Sequence, residues 1–399
     1  MNFFRDLTTT ILVFILLCST FPAHAQVDEV LWQKEIEAGG GRSYSPGAAF
    51  FDVTDNKLLI VGTSFLPNVF SEGQFKLWEI DMNGNMTMDR DIGDVRKKTI
   101  PNIQAASQII NGLSISKDRK INVAGGYHGH GKAVMSMSRQ GEGIEIKSII
   151  ETSLIDDNDI VLKKIELPGD NSLLIGKNSR DDAFVIKVDP QGNKLWEQAY
   201  DQGKLEYFSD GVSVGDNGDF IVVGGIMNPT GPMSIEKNSA IWVLKCDSQG
   251  KILSNIVFSG NPFVKTMPQI CQIFSGEIIV VYDNFHPNGV TLKAFTSDMI
   301  ELWEKKAFKD ETAAFSFKIK AIPERGFIVA FGIDSTGLAV HEFSETGDVI
   351  SKNFWEKVVR GGNFLLEVST DKAFVILQTR AIEQDRINRL KVIALKLTR

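Results

Sequence analysis

Asp216-Asn217-Gly218-Asp219-Phe220-Ile221-Val222-Val223-Gly224-Gly225 is the stretch on which the fold turns. A polar tetrapeptide reverses the chain, and a wholly apolar run follows. A short apolar run bounded by turn residues reads as a strand buried on both faces. Working outward, Asp210 to Val214 forms an inner strand before the turn. Ile241-Trp242-Val243-Leu244-Lys245-Cys246 forms a third strand, Asp247-Ser248-Gln249-Gly250 turns it back, and Lys251 to Phe258 forms a fourth. The unit from Ser209 to Phe258 is therefore a four-stranded antiparallel meander.

The unit recurs. Second strands stand at Leu58–Gly62, Ile121–Gly125, Leu173–Gly176, Phe220–Gly224, Ile278–Val281, Phe327–Phe331 and Phe374–Leu377. Third strands begin near Phe75, Ala133, Phe184, Ile241, Val290, Leu338 and Lys391. Six of them run into a polar turn: Asn83-Gly84, Gln140-Gly141, Gln191-Gly192, Gln249-Gly250, Ser297-Asp298 and Thr346-Gly347. The period is about 53 residues, which suits radially packed four-stranded blades and is too long for helical repeats. Residues 101–110 and 381–390 come closest to an amphipathic helix, and both are short. Two β-sandwiches are the alternative, but they do not explain seven copies of one unit.

Four segments share a phrase: Leu31-Trp32-Gln33-Lys34, Leu195-Trp196-Glu197-Gln198, Leu302-Trp303-Glu304-Lys305 and Phe354-Trp355-Glu356-Lys357. The last three follow a strand and a polar turn. The first has no strand before it, and Lys391 to Leu397 supplies one at the far end of the chain. The fold expected is all-β: a seven-bladed β-propeller of four-stranded blades, closed by pairing of the N-terminal strand with the C-terminal blade. Closure removes the unpaired strand edges that an open ring would leave. Recurrence of Trp196, Trp303 and Trp355 at one strand position reads as blade-to-blade packing.

The segment Leu205 to Trp242 resembles a secreted bacterial propeller repeat of the type D-x-A-x-S-V, D-G-G-Y-I-V-x-G, D-x-W-L-x-K-x-D-x-x-G and W. Its counterparts here are Ser209 to Val214, Asn217 to Gly224, Ala240 to Asp247, and Gly250. Val188-Asp189-Pro190-Gln191-Gly192 with Trp196 is similar to the signature of quinoprotein-like propellers. Blades three and four match well, whereas blades two, five and seven are degenerate. The resemblance implies a secreted or cell-surface propeller and no set of catalytic residues.

Arg5, the apolar run Ile11 to Leu17 and Ala23-His24-Ala25 read as an export signal cleaved after residue 25. A single propeller domain over residues 26–399 is expected, exported to the periplasm or the cell exterior. Leu17 before Cys18 does not suit a lipoprotein signal, and the apolar run is too short for a stable membrane span. The net charge of −7 gives no electrostatic case for nucleic acid. Cys246 and Cys271 remain after cleavage, and Cys246 aligns with apolar Val188, which favours buried free thiols.

In a propeller, the turns between strands one and two and between three and four share one face. Here they are short, as at Thr54–Asn56, Lys117–Arg119 and Asp216–Gly218. The opposite face collects the longer segments Glu37–Pro46, Ser64–Gln74, Tyr127–Lys132, Asp201–Ser209, Ile226–Ser239, Asp283–Gly289 and Arg380–Asn388. Function concentrates in loops held by a rigid scaffold, so this is the expected binding face. Its candidate residues are His128, His130, Asp159, Arg180, Asp181, Asp210, His286, Arg380 and Arg386.

His128-Gly129-His130 offers two metal ligands without an assignable third, and Asp156-Asp157-Asn158-Asp159 lacks the glycine and distal glutamate of a helix-loop-helix calcium site. No metal is therefore assigned. No P-loop or metalloprotease helix is present, and no vicinal cysteine pair supports a quinone cofactor, so no cofactor is predicted. The leading expectation is a monomeric, noncatalytic binding or scaffold module for a protein, peptide or glycan. The alternatives are a carbohydrate hydrolase or lyase using Asp159 and Asp210 at the channel mouth, and a cofactor-binding quinoprotein relative.

Overall fold

A computed structural model describes residues 29–36, 43–66, 69–93, 108–115, 120–127, 132–140, 143–152, 159–190, 192–227, 239–260, 267–284, 289–307, 314–333, 337–356, 364–380 and 388–397. Strand β1 (Val30–Ile36) comes first. Sheet 1 follows with β2 (Ser43–Asp52), β3 (Lys57–Leu66), β4 (Val69–Asp81) and β5 (Met86–Gly93). Sheet 2 holds β6 (Gln108–Ile115), β7 (Lys120–Tyr127), β8 (Lys132–Gln140) and β9 (Gly143–Thr152). Sheet 3 holds β10 (Ile160–Glu166), β11 (Ser172–Lys177), β12 (Ala183–Val188) and β13 (Lys194–Tyr200).

Sheet 4 contains β14 (Leu205–Val214), β15 (Asp219–Met227), β16 (Ala240–Cys246) and β17 (Ile252–Ser259). Sheet 5 contains β18 (Gln269–Gln272), β19 (Ile278–Asp283), β20 (Val290–Phe295) and β21 (Glu301–Lys306), and sheet 6 contains β22 (Ala314–Ala321), β23 (Phe327–Ile333), β24 (Gly337–Phe343) and β25 (Val349–Glu356). Sheet 7 is built from β26 (Phe364–Val368), β27 (Lys372–Arg380), β28 (Asn388–Lys396) and the returning β1. The described residues thus form seven four-stranded antiparallel sheets in the order of the chain. The one helical segment among them is the 3-10 turn Pro168–Asp170.

Strand β1 pairs antiparallel with β28, matching Trp32 to Ala394, Gln33 to Ile393 and Ile36 to Leu390. The amide of Lys396 also donates to the carbonyl of Glu29 at 3.0 Å. The first strand of each sheet lies beside that of the next, from β2 through β6, β10, β14, β18 and β22 to β26, and β26 lies beside β2. This is the arrangement of a β-propeller.

Apolar side chains are buried between neighbouring sheets. One cluster joins Ile165, Leu173 and Val185 of sheet 3 to Phe208, Phe220 and Trp242 of sheet 4. Another joins Tyr44, Leu58 and Trp78 of sheet 1 to Phe374, Leu390 and Val392 of sheet 7. The second strands are the most deeply buried, as their unbroken apolar runs predict: Phe220, Ile221, Val222 and Val223 have no exposed surface. Sheet 4 thus buries apolar side chains on both faces, against sheets 3 and 5, and burial of such area supplies the main drive for stacking.

The inner strands carry a recurring irregularity. Register shifts fall between Pro46 and Ala48, Ile110 and Gly112, Val161 and Lys163, Phe208 and Asp210, and Ala314 and Ser316. Opposite each shift, the second strand has a glycine: Gly62, Gly125, Gly176, Gly224 or Gly332. The bulge presses the inner backbone against the second strand. A Cβ on Gly176 would collide with the Ile160 carbonyl, and one on Gly224 with the Tyr207 carbonyl. Sheets 5 and 7 have neither the shift nor the glycine.

Several expectations change: of the expected loop segments, Glu37–Pro46 and Asp201–Ser209 run into β2 from Ser43 and into β14 from Leu205. Ser64–Gln74 is not a loop: β3 runs on to Leu66 and β4 starts at Val69, with Ser64 paired to Gln74 and Leu66 to Val69. The β-branched and aromatic residues Phe65, Val69 and Phe70 favour the extended hairpin there. Trp355 does not share the strand position of Trp196 and Trp303. It pairs with Leu338 at the far end of β25, and Ser351 holds the equivalent place next to the register shift. Residues 108–110 and 388–390 are strand; the rest of the two helix-like segments lies outside the described residues, as does the export signal. Cys246 and Cys271 are buried free thiols.

Candidate functional site

The bulge on β14 sets up a charged cluster. Ser209, the residue left over by the register shift, donates its hydroxyl to the Val223 carbonyl at 3.2 Å and to the Pro268 carbonyl of the next sheet at 2.6 Å. Asp210 then points between sheets. Its Oδ1 accepts from the Gly211 amide at 2.9 Å and lies 3.2 Å from Lys163 Nζ of sheet 3; its Oδ2 accepts from the Ile270 amide of sheet 5 at 3.3 Å. Further round, Gln269 Oε1 accepts from the Ile319 amide of sheet 6 at 3.3 Å, and Lys320 of sheet 6 pairs with Glu367 of sheet 7 at 2.9 Å. Polar contacts thus link inner strands from sheet 3 to sheet 7.

Three lysines converge here from two separated strands: Lys163 on β10, and Lys318 and Lys320 on β22. The side chains of Lys163 and Lys320 are 38% and 40% exposed. Burial opposes the charge on Lys320, but Glu367 beside it more than offsets this and holds its pKa above the ordinary value. Among the described residues, Lys318 has no such ion pair. Burial, then the positive charge of Lys163, pulls its pKa down to about 8; Asp210 acts in the opposite sense and Lys320 adds to the lowering. Burial raises the pKa of the neighbouring Cys271 thiol, and the Asp210 charge adds to that, so it is an inert core thiol and not a nucleophile. The arrangement suits an anion, because a bound carboxylate or sulfate would relieve lysine–lysine repulsion.

The sequence candidates divide. Asp210 belongs to this cluster. Asp159 is buried and caps the Ser179 amide at 2.7 Å, so it organises the β11–β12 turn. Arg180 is exposed in that turn, where its amide donates to Asn178 Oδ1 at 2.9 Å, and Asp181 forms an ion pair with Lys177. His128, His130, His286 and Arg386 lie outside the described residues, and Arg380 is described only as the last residue of β27.

Sequence reasoning missed Lys163, Lys318, Lys320 and Glu367. The available signal was Phe317-Lys318-Ile319-Lys320, in which alternate residues face the core and the others face the channel. Gly211-Val212-Ser213-Val214-Gly215 also spells G-x-S-x-G. It is not a nucleophile elbow, which needs a strand-to-helix turn: Ser213 lies within β14, paired with Phe220, and the chain turns directly into β15.

No family model matches the sequence, and no curated protein matches it. Solved structures match the fold at low identity. The polysaccharide lyase Uly1 is 9% identical, covering 89% of this chain and 90% of its own, with a TM-score of 0.52. The WD40 domain of Toxoplasma gondii coronin is 10% identical, covering 94% and 89%, with a TM-score of 0.52. Extracellular domains 1–2 of Drosophila semaphorin 1a are 10% identical, covering 95% and 89%, with a TM-score of 0.51. At these identities, what the chain shares with them is the β-propeller fold.

Proposed function

We propose that the chain is an exported, noncatalytic binding module: a seven-bladed propeller, zipped shut by β1 against β28, that receives an acidic protein, peptide or glycan at its channel. The observation that carries this reading is the set of lysines on inner strands. Lys318, lying near the charges of Lys163 and Lys320, opposes folding when protonated, and perturbed groups of this kind are enriched at functional sites. A ligand carboxylate or sulfate between Lys163 and Lys320 would gain two charge-assisted hydrogen bonds and neutralise the cluster. Pairing of Val30 to Ile36 with the last strand, and the shared core of sheets 1 and 7, support a closed ring. Residues 1–25 support export only through their sequence pattern.

A second reading has one specific observation behind it. A lysine with a pKa near 8 is matched to general-base work at neutral pH, and flanking cations would hold the carboxylate of an acidic sugar. That is the equipment for eliminating a glycosidic bond from a uronic acid polymer. One experiment addresses both readings. Purified protein is titrated with polygalacturonate, a sulfated glycan and a neutral glucan, following affinity and the ultraviolet absorbance of new double bonds. Binding of the acidic polymers without product, weakened at least tenfold in Lys163→Met and Lys320→Met, is the expected result. Equal binding of the neutral glucan, or variants that bind as the wild type does, would overturn the reading. Product formation that is lost in Lys318→Met would replace it with the lyase.

A further inference from the structure

A second polar site lies away from the lysine cluster, where the β11–β12 turn meets the connection from sheet 3 to sheet 4. Asp182 closes the turn, Asp201 opens the connection, and Glu206 is the second residue of β14. One carboxylate oxygen from each lies within 4.8 Å of the others, the only such trio among the described residues. Glu206 is entirely buried, and its Oε2 has no hydrogen-bond partner. Burial first, and then the charges of Asp201 and Asp182, raise its pKa above the usual glutamate value. A buried glutamate with an orphaned oxygen, gathered with two more carboxylates, is costly unless something positive sits among them.

The local hydrogen bonds orient the three groups. Asn178 Nδ2 donates to Asp182 Oδ2 at 3.0 Å. The Gly203 amide donates to Asp201 Oδ1 at 2.5 Å, in a bend that Gly203 permits by its φ of 75°. The Lys204 amide donates to Glu206 Oε1 at 2.8 Å, and the Glu206 amide donates to the Asp181 carbonyl at 2.7 Å. Each carboxylate thus has one oxygen held by an N–H, and Glu206 Oε2 has no partner among the described residues. Outer-shell bonds of this kind fix the direction of metal ligands. Asp182 is half-buried and Asp201 exposed, which leaves an approach from solvent.

We propose that Asp182, Asp201 and Glu206 bind a calcium ion that pins the β11–β12 turn to the connection between sheets 3 and 4. Three carboxylates with no nitrogen or sulfur donor select a hard divalent cation, and ligands on two flexible loop segments suit calcium's loose geometry better than the strict octahedron of magnesium. The site is independent of the lysine cluster, so either proposal can fail alone.

The test is thermal unfolding and calorimetric titration of the whole chain with calcium, magnesium and zinc chlorides, each against chelator-treated protein. Calcium should bind with a Kd on the order of 10⁻⁴–10⁻³ M or tighter and raise the melting temperature by about 5 °C at saturation. Asp201→Asn, an exposed change, should abolish both effects. Glu206→Gln should do the same while melting no lower than the wild type in chelator, since it removes a buried repulsion. Asp216→Asn, on a distant turn, should leave the calcium shift intact. Absence of calcium binding, a shift that survives in Asp201→Asn, or preference for magnesium or zinc would overturn the assignment.

Discussion

Gly224 shows how one missing Cβ fixes the course of two strands. The inner strand buckles at Phe208 and Asp210, and the Tyr207 carbonyl then occupies the space where a side chain would begin. Gly224→Ala is expected to lower stability by about 3 kcal/mol in urea unfolding, because the obstruction is backbone and cannot rotate away. The glycine ending the second-strand runs of sheets 1 to 4 is legible in the sequence; its reason is not, since the bulge it accommodates lies some fifteen residues upstream in an unremarkable stretch. Lys318 was illegible for another reason. A lysine alternating with Phe317 and Ile319 looks like an ordinary solvent-facing residue, and only the packing of the inner strands brings Lys163 near it. Its folded pKa of about 8 lies below the unfolded value of 10.5. Unfolded chains therefore bind more protons between those values, and stability should rise with pH across that window. Lys318→Met should stabilise the protein at pH 7 by on the order of 2 kcal/mol. The gain should shrink towards pH 10, and a gain independent of pH would mean that the lysine is not strained.

The outer strands and turns work as a lock between sheets. Trp32 donates its Nε1–H to the Met82 carbonyl at 2.9 Å and lies against Gly84; Trp196 donates to the Ser248 carbonyl at 3.3 Å and lies against Gly250; Trp303 lies against Gly347. In each case the tryptophan belongs to one sheet and the turn to the next. Each glycine has φ near 80°, and a Cβ there would strike the indole. The first turn residue steadies the reversal: Asp81, Asp247 and Ser344 accept the amides of Asn85, Lys251 and Asp348. Sheet 5 departs from this. The place of the tryptophan on β17 is taken by Ser254, and the left-handed position of the following turn is taken by Met299, with φ of 66°. Met299 is buried in the core of sheets 4 and 5, filling the volume that an indole fills elsewhere. Met299→Gly alone should cost about 2 kcal/mol through the void it leaves, and adding Ser254→Trp should recover at least half of it. A double-mutant cycle by chemical denaturation checks this. The repeating tryptophans and D-x-x-G turns were readable in the sequence, whereas the exchange of partners at sheet 5 was not, because the residues involved lie more than forty positions apart. Trp355 misled for a related reason: it copies the phrase but sits four residues from the lock, and sheet 7 has no turn there for it to cover.

For the whole molecule, the pairing of β1 with β28 governs stability. Deleting residues 29–36 would uncover the edge of β28 and remove Trp32 and Ile36 from the core shared by sheets 1 and 7. The expected outcome is loss of a single cooperative unfolding transition, with aggregation by light scattering, since an open strand edge invites pairing between chains. A shortened chain that melts as the full one does would show that this seam carries no stability. The sheet count and the meeting of the chain's two ends were the most legible features, because each blade repeats the same polar turns and apolar runs. The acidic trio was least so: Asp182, Asp201 and Glu206 become neighbours only when the sheets stack.

The same seam sets a schedule. Val30 to Ile36 emerges from the ribosome before any sheet exists, yet its partner, Asn388–Lys396, is made only after all the strands between them. Until the tail arrives, the opening strand has nowhere to dock. The seam between β1 and β28 is therefore among the last contacts to form during synthesis. Prematurely terminated copies can never finish, and a quality-control protease would find them by that dangling ribbon.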